Sequence, residues 1–362
     1  MGALLVTSGP CMSRVGPETG PPMSKPRDSA WNNLASDRLW SIGKLRQVRL
    51  LTGHNSKITS ASWHRNSEHL ITTDQSGNVI LWDAMQKAKL RYINKPFITA
   101  SAISPDPDKT IVALGGLDNV ICIYNMSSSS EGPPVMKVEL PSSGEGHEGS
   151  ITSLHFCTID KLISAAGDGD IRVWDVNTGT CSQVLAGHAR DAVSLSFQHD
   201  AVGGPMFASG SLDGTVRLWD LRSGKSFATF TMDDEVNGCA MFPDGRAVAG
   251  ACVNGAVSVY DVRAQQRVQH MVVSGKVSAC TGVQFSISGR ALYTSHENGC
   301  IGCWEPYGAT SGCKALVAAH TAAQQQSARS ISALSLSPDG TALVSAAYDA
   351  QVKVWAAQPS SK

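Results

Sequence analysis

Histidine, serine and aspartate recur along this chain at intervals that could support proton relay or nucleophilic attack. His147 is followed six residues later by Ser153, and His188 by Ser194; His54 and Ser60 keep the same interval. Asp168 and Asp213 then stand six residues before Trp174 and Trp219. Near the C-terminus His320, Ser332, Asp349 and Trp355 repeat the set, with the longer His–Ser interval fitting a six-residue insertion through AAQQQS. Serine, histidine and aspartate are the residues of a hydrolytic triad, in which the carboxylate orients the imidazole that takes the serine proton. A catalytic constellation normally occurs once, whereas this one occurs three times in full. The reading that serves every copy is a buried chain: the Trp indole N–H donates to Ser, Ser to His, and His to Asp, so each polar group is satisfied. Catalysis is not expected from it.

The elements that must hold these sets are short and regular. From residue 50 onward, β-rich runs close on an aromatic residue: Trp82, Tyr124, Trp174, Trp219, Tyr260, Trp304 and Trp355, at intervals of 41 to 51 residues. The residue six before the aromatic is Asp in the second, third, fourth and seventh copies (Asp118, Asp168, Asp213, Asp349), and Ser76, Asn254 or Asn298 in the others. In the fourth copy Ala192–Phe197, Phe207–Ser211, Thr215–Trp219 and Ser226–Phe230 have the period-two character of strands, and Asp213-Gly214 is a tight-turn signal. Four strands per copy at this period, with Gly-His and Trp-Asp landmarks, specify the blades of a WD-repeat β-propeller. The expected fold is all-β: a seven-bladed propeller over residues 47–357, with residues 47–51 as the last strand of blade 7, because AAQPSSK cannot supply one. Residues 1–27, rich in proline and glycine, read as a disordered tail. Residues 28–46 read as a short helix with Trp31, Leu34, Leu39, Ile42 and Leu45 near one face, and 358–362 as a tail. Ser127–Pro134, Pro141–Gly146 and Thr321–Arg329 read as surface loops.

Bulk composition narrows the function. Thirty basic and thirty acidic residues cancel, which disfavours nucleic acid as a partner. Ten cysteines sit mostly within apolar strand-like runs (Cys122, Cys157, Cys252), as small hydrophobes do in a reducing compartment. Cys300, Cys303 and Cys313 lack the second pair a structural zinc site wants, so no metal or other cofactor is expected. No apolar run reaches the roughly 18 residues that span a bilayer. Gly2 is followed by Val6 where an acylation motif has Ser or Thr. The expected location is cytoplasmic, with membrane contact only peripheral and through partners.

Longer stretches carry a family resemblance. Gly115–Asn125 (GGLDNVICIYN), which puts Tyr-Asn where Trp-Asp is usual, Thr281–Asn298 (TGVQFSISGRALYTSHEN) and Val259–Gln266 (VYDVRAQQ) resemble the β subunits of heterotrimeric G proteins. The resemblance covers residues 48–356 and implies a non-catalytic platform that binds a Gα subunit and effectors. It places Lys57, Leu117, Asp191 and Asn237 as in the family's Gα-facing set, with Phe97, Glu235 and Tyr348 keeping the character of the family's residues. Thr59, Thr99, Ser150, Val193, Leu212 and Val253 depart from it. The family also carries a heptad-bearing N-terminal helix that coils with a γ subunit; here that region is proline-rich and leaves a γ partner open. The alternative is a general scaffold of the receptor-for-activated-kinase kind, without Gα binding.

Overall fold

The computed structural model describes residues 45–357 apart from 85, 87, 128–134, 142–145, 198–205, 273–277, 308–312, 314 and 322–325. Within them, seven four-stranded antiparallel sheets follow one another. The first strand of each sheet is Ile58–Trp63, Ile98–Ile103, Ile151–Phe156, Ala192–Phe197, Val236–Met241, Cys280–Phe285 or Ile331–Leu336. Each packs on the next, and the seventh packs back on the first, so these strands wall a closed ring. This is a seven-bladed β-propeller.

Burial follows position within a blade. Second strands such as Ile111–Gly116 and Ala247–Cys252 are buried throughout, because a blade on either side covers both faces. Outer strands alternate: in Lys225–Thr231 only Ala228 and Phe230 are buried. The core therefore lies between blades. One cluster joins Leu51, Val344, Val352 and Val354 of blade 7 to Ile58, Leu70, Ile80 and Trp82 of blade 1. The turn after each second strand needs a left-handed residue. Gly214 supplies it at φ 79° without cost, whereas Ala350 in blade 7 adopts φ 61° against its Cβ.

Ring closure comes from the N-terminal end. Leu45–Thr52 pairs antiparallel with Gln351–Ala357, placing Leu51 opposite Val352 and Leu45 opposite Ala357. The strand is longer than the expected 47–51. Leu45 and Arg46, expected at the end of a helix, are strand residues instead. The physical reason is that Leu45 is buried against Ile301, Cys303, Leu343 and Trp355, contacts that an extended backbone beside the last strand makes possible. The remainder of the expected helix, the 1–27 tail and the 358–362 tail lie outside the described residues. Of the expected loops, Ser127 is buried, its hydroxyl accepting from the Thr110 amide, and Gln326–Arg329 forms one 3-10 turn. Residues 128–134, 142–145 and 322–325 lie outside the description.

Candidate functional site

The repeated polar sets are the first candidate for chemistry. In blade 4, Trp219 Nε1 donates to Ser209 Oγ at 2.8 Å, Ser209 Oγ lies 2.7 Å from His188 Nε2, and His188 Nδ1 lies 3.0 Å from Asp213. Blade 3 repeats this with Trp174, Ser164, His147 and Asp168, and blade 7 with Trp355, Ser345, His320 and Asp349. The serines expected from their spacing to histidine are not the ones used. Ser153, Ser194 and Ser332 lie on first strands, and the Ser332 hydroxyl donates to the Ala346 carbonyl. A hydroxyl bridging a histidine before strand one to a tryptophan on strand three has to stand on strand two. Ser164, Ser209 and Ser345 do, each ten residues before its tryptophan.

Two blades expected to lack the set carry forms of it. In blade 1, His54 Nδ1 lies 2.8 Å from Asp74, and Thr72 Oγ1 takes the Trp82 indole proton at 2.7 Å while lying 2.7 Å from His54 Nε2. Asp74 ends the second strand opposite Ile58, two residues ahead of Ser76, the place that holds aspartate in blades 3, 4 and 7. In blade 6 Thr294 links Trp304 to His296, a histidine of the second strand, whose Nδ1 faces not a carboxylate but Cys280 Sγ and the Ser278 carbonyl, each at 3.5 Å. Blade 2 puts Lys95 in contact with Asp118 at 2.7 Å, and blade 5 gathers Asp233, Arg267, His270 and Ser258. In that last group both Ser258 Oγ, at 3.3 Å, and Asp233, at 3.1 Å, approach the same His270 nitrogen. A relay needs one partner on each ring nitrogen, so the group cannot pass a proton from serine to carboxylate.

Electrostatics fits a structural role. Burial pushes the His54 and His188 imidazoles down, outweighing the hydrogen bonds they donate to Asp74 and Asp213, which would raise them. Burial pushes the Asp213 carboxyl up, but hydrogen bonds from Thr215, the Ala189 amide and His188 prevail and bring it down to about 2; Asp168 settles at about 2 in the same way. At neutral pH this leaves a neutral His188 beside an ionised Asp213. Acid should therefore act in two windows. Below an ordinary histidine value of 6.5 the unfolded chain binds protons that folded His54 and His188 refuse, so stability present above 6.5 falls as pH drops. Asp168 and Asp213 hold stability above the ordinary 3.8, and it is lost as pH falls through about 2. Urea midpoints measured against pH are expected to decline in both windows; a midpoint constant from pH 7 to pH 5 would contradict the histidine part. Among the described residues, no three His, Cys, Asp or Glu side chains come together as metal ligands would.

The second candidate is a rim. In every blade the amide following the second strand donates to the carbonyl preceding the first strand. The pairs are Gln75 to Lys57 (2.8 Å), Leu117 to Phe97 (2.8 Å), Gly167 to Ser150 (2.9 Å), Leu212 to Asp191 (3.0 Å), Val253 to Glu235 (2.9 Å), Glu297 to Ala279 (3.1 Å) and Tyr348 to Ser330 (3.0 Å). These links set fourteen residues around one end of the ring, and Lys57, Phe97, Leu117, Asp191, Glu235 and Tyr348 are six of them. Phe97 and Leu117 are 58% and 61% exposed, the two most exposed large apolar side chains among the described residues. Lys57 Nζ stands 5.0 Å from the centre of the Tyr348 ring, a cation–π contact that ties the rim of blade 1 to that of blade 7. Glu235 is ion-paired with Arg190, whose Nη1 also donates to the Leu212 carbonyl at 2.9 Å.

Asn237 is not with them. It occupies the bulge that interrupts pairing at the second residue of every first strand, and its Nδ2 donates to the Cys280 carbonyl of the next blade at 2.8 Å. Thr59 and Thr99 stand at the same bulge: the Thr59 hydroxyl lies 2.8 Å from that of Thr73, and the Thr99 hydroxyl donates to the Ile151 carbonyl of the next blade. Arg190 is the rim residue that sequence reasoning passes over, since it belongs to no repeat landmark.

A family profile described as "WD domain, G-beta repeat" matches residues 45–83, 139–175, 179–220 and 317–356. Those segments hold Trp82, Trp174, Trp219 and Trp355, the tryptophans of the four blades whose His–hydroxyl–Trp chain ends on aspartate. Guanine nucleotide-binding protein subunit beta of Solanum tuberosum is 30% identical over 320 residues, covering 85% of this chain and 82% of the relative. The chain belongs to the guanine nucleotide-binding protein β-subunit family. Subunits of that name from Zea mays, at 31% over 324 residues, and Arabidopsis thaliana, at 30% over 321, each share 85% of this chain and 82% of their own length. Blades 2, 5 and 6, where Lys95, Tyr260 and His296 alter the buried set, are this β-subunit relative's departures from the repeat.

Proposed function

We propose that this chain is a non-catalytic signalling platform whose rim binds a Gα subunit and shares that surface with effector proteins. One observation carries the reading: six residues far apart in sequence occupy equivalent places at one end of the ring. They expose the apolar side chains of Phe97, Leu117 and Tyr348 among charged ones, the mixture that protein–protein hot spots use. The family name of the relatives supports it. The chain acts in the cytoplasm in this reading, reaching the plasma membrane only through partners.

Binding of the purified chain to Gα charged with GDP or with a GTP analogue tests it. Affinity that depends on the nucleotide supports signalling; indifference to the nucleotide favours a general scaffold, and no binding removes Gα as the partner. Leu117→Ala combined with Asp191→Ala is expected to weaken Gα binding about 10- to 100-fold. The melting temperature should stay put, because both residues hold the rim through main-chain groups. Unaltered affinity would place the contact on another surface.

A further inference from the structure

Glu235 is the rim carboxylate of blade 5, yet its charge is already answered from within the chain. Arg190, at the start of blade 4, crosses to it and is anchored by the Leu212 carbonyl. Both side chains stay open to water, 52% and 41% exposed, so this is a surface pair that holds weakly and can be displaced. The surroundings are acidic: Asp191 and Asp234 adjoin the two partners in sequence, and Asp191 and Asp213 add to the field on the guanidinium. A sector with this balance attracts a cation, and Arg190 stands where an incoming cation would go.

We propose that Arg190 is a specificity-determining residue: an internal stand-in for a basic side chain of the partner, which must displace it to reach Glu235. The inference deepens the rim reading above and rests on it for the identity of the partner, though not for the chemistry. Rim charges govern encounter rate and salt dependence more than they govern dissociation. Partners that offer no lysine or arginine here leave the internal pair closed and gain nothing from the acidic sector. Partners that do offer one exchange one cation for another, so their gain is trimmed.

A double-mutant cycle with two probes tests this: Arg190→Ala, Glu235→Gln and the double variant, each titrated with a fluorescent oligolysine and with Gα bound to GDP. At low salt Arg190→Ala is expected to bind oligolysine about three- to tenfold more tightly than the unaltered chain. Glu235→Gln alone should change little, because that carboxylate is already engaged, and the gain from Arg190→Ala should vanish in the double variant. At about 0.5 M salt the differences should collapse. A gain that survives Glu235→Gln, or no gain at all, overturns the proposal. Gα should follow the same pattern; Gα affinity that falls in Arg190→Ala makes Arg190 a direct contact and also overturns it. If Gα binds none of the variants while oligolysine shows the coupling, the Gα reading fails and the role of Arg190 stands.

Discussion

A chain lacking Leu45–Thr52 is expected to show no cooperative thermal transition. Those eight residues are the outer strand of blade 7, and they pair along the whole of Gln351–Ala357. Without them the last strand becomes an open edge, and Val352, Val354 and Trp355 lose the cover of Leu45 and Leu51, buried to 8% and 1% exposure. Each lost burial of that size is worth about 1.5–3 kcal/mol. The larger effect is topological. Elsewhere each blade is joined to the next through the chain; between blade 7 and blade 1 the strand that runs from one into the other is the main tie. Loss of it is set against a total stability of about 5–15 kcal/mol. Removing residues after Val352, Trp355 among them, should have the same outcome from the other side. Scanning calorimetry decides, and a cooperative peak within a few degrees of the intact chain would show that the ring holds without its clasp. A synthetic Leu45–Thr52 peptide added in trans should recover part of the transition, which separates a missing strand from general misfolding.

Asp213→Ala should lower the free energy of unfolding by about 2–4 kcal/mol. The carboxylate accepts from Thr215 Oγ1 at 2.6 Å, from the Thr215 and Ala189 amides at 2.9 and 3.0 Å, and from His188 Nδ1 at 3.0 Å. Alanine leaves the buried imidazole N–H without an acceptor, and two turn amides with it. His188 also aligns Ser209, which accepts the Trp219 indole proton, so the loss runs inward to the largest side chain of the blade. Asp213→Asn, which keeps an acceptor, should recover more than half of the difference. Urea denaturation gives the measurement, and an unchanged midpoint with unchanged slope would mean that this chain of bonds contributes nothing net.

Fold and site differ in how far the residues announce them. The blade count is legible because seven aromatic residues mark the third strands at a steady period, and because a turn pair such as Asp213-Gly214 separates runs of period two. The buried sets are half legible. In blades 3, 4 and 7 histidine, aspartate and tryptophan lie at the landmarks of the repeat, but the bridging hydroxyl hides: the serine that follows the histidine lies on the first strand, whereas the working residue stands on the second, a constant ten before the tryptophan. Asp74 is missed because the blade 1 carboxylate reaches its histidine from the strand end, not from the turn. Rim positions cannot be found by pattern at all. Lys57, Phe97, Asp191 and Glu235 share a main-chain place but no common side chain, so only the resemblance points to them, and it has no word for Arg190.

The pairing of Leu51 with Val352 sets a condition on synthesis. The first strand of the ring leaves the ribosome some three hundred residues before its only mate. At about 5–20 residues per second that is a wait of about 15–60 s. Throughout it the nascent chain carries a bare strand that any neighbouring edge could capture. Production of this protein should therefore depend on chaperones that shelter unpaired edges, and slowed translation should lower its yield more than that of a chain whose first and last segments never meet.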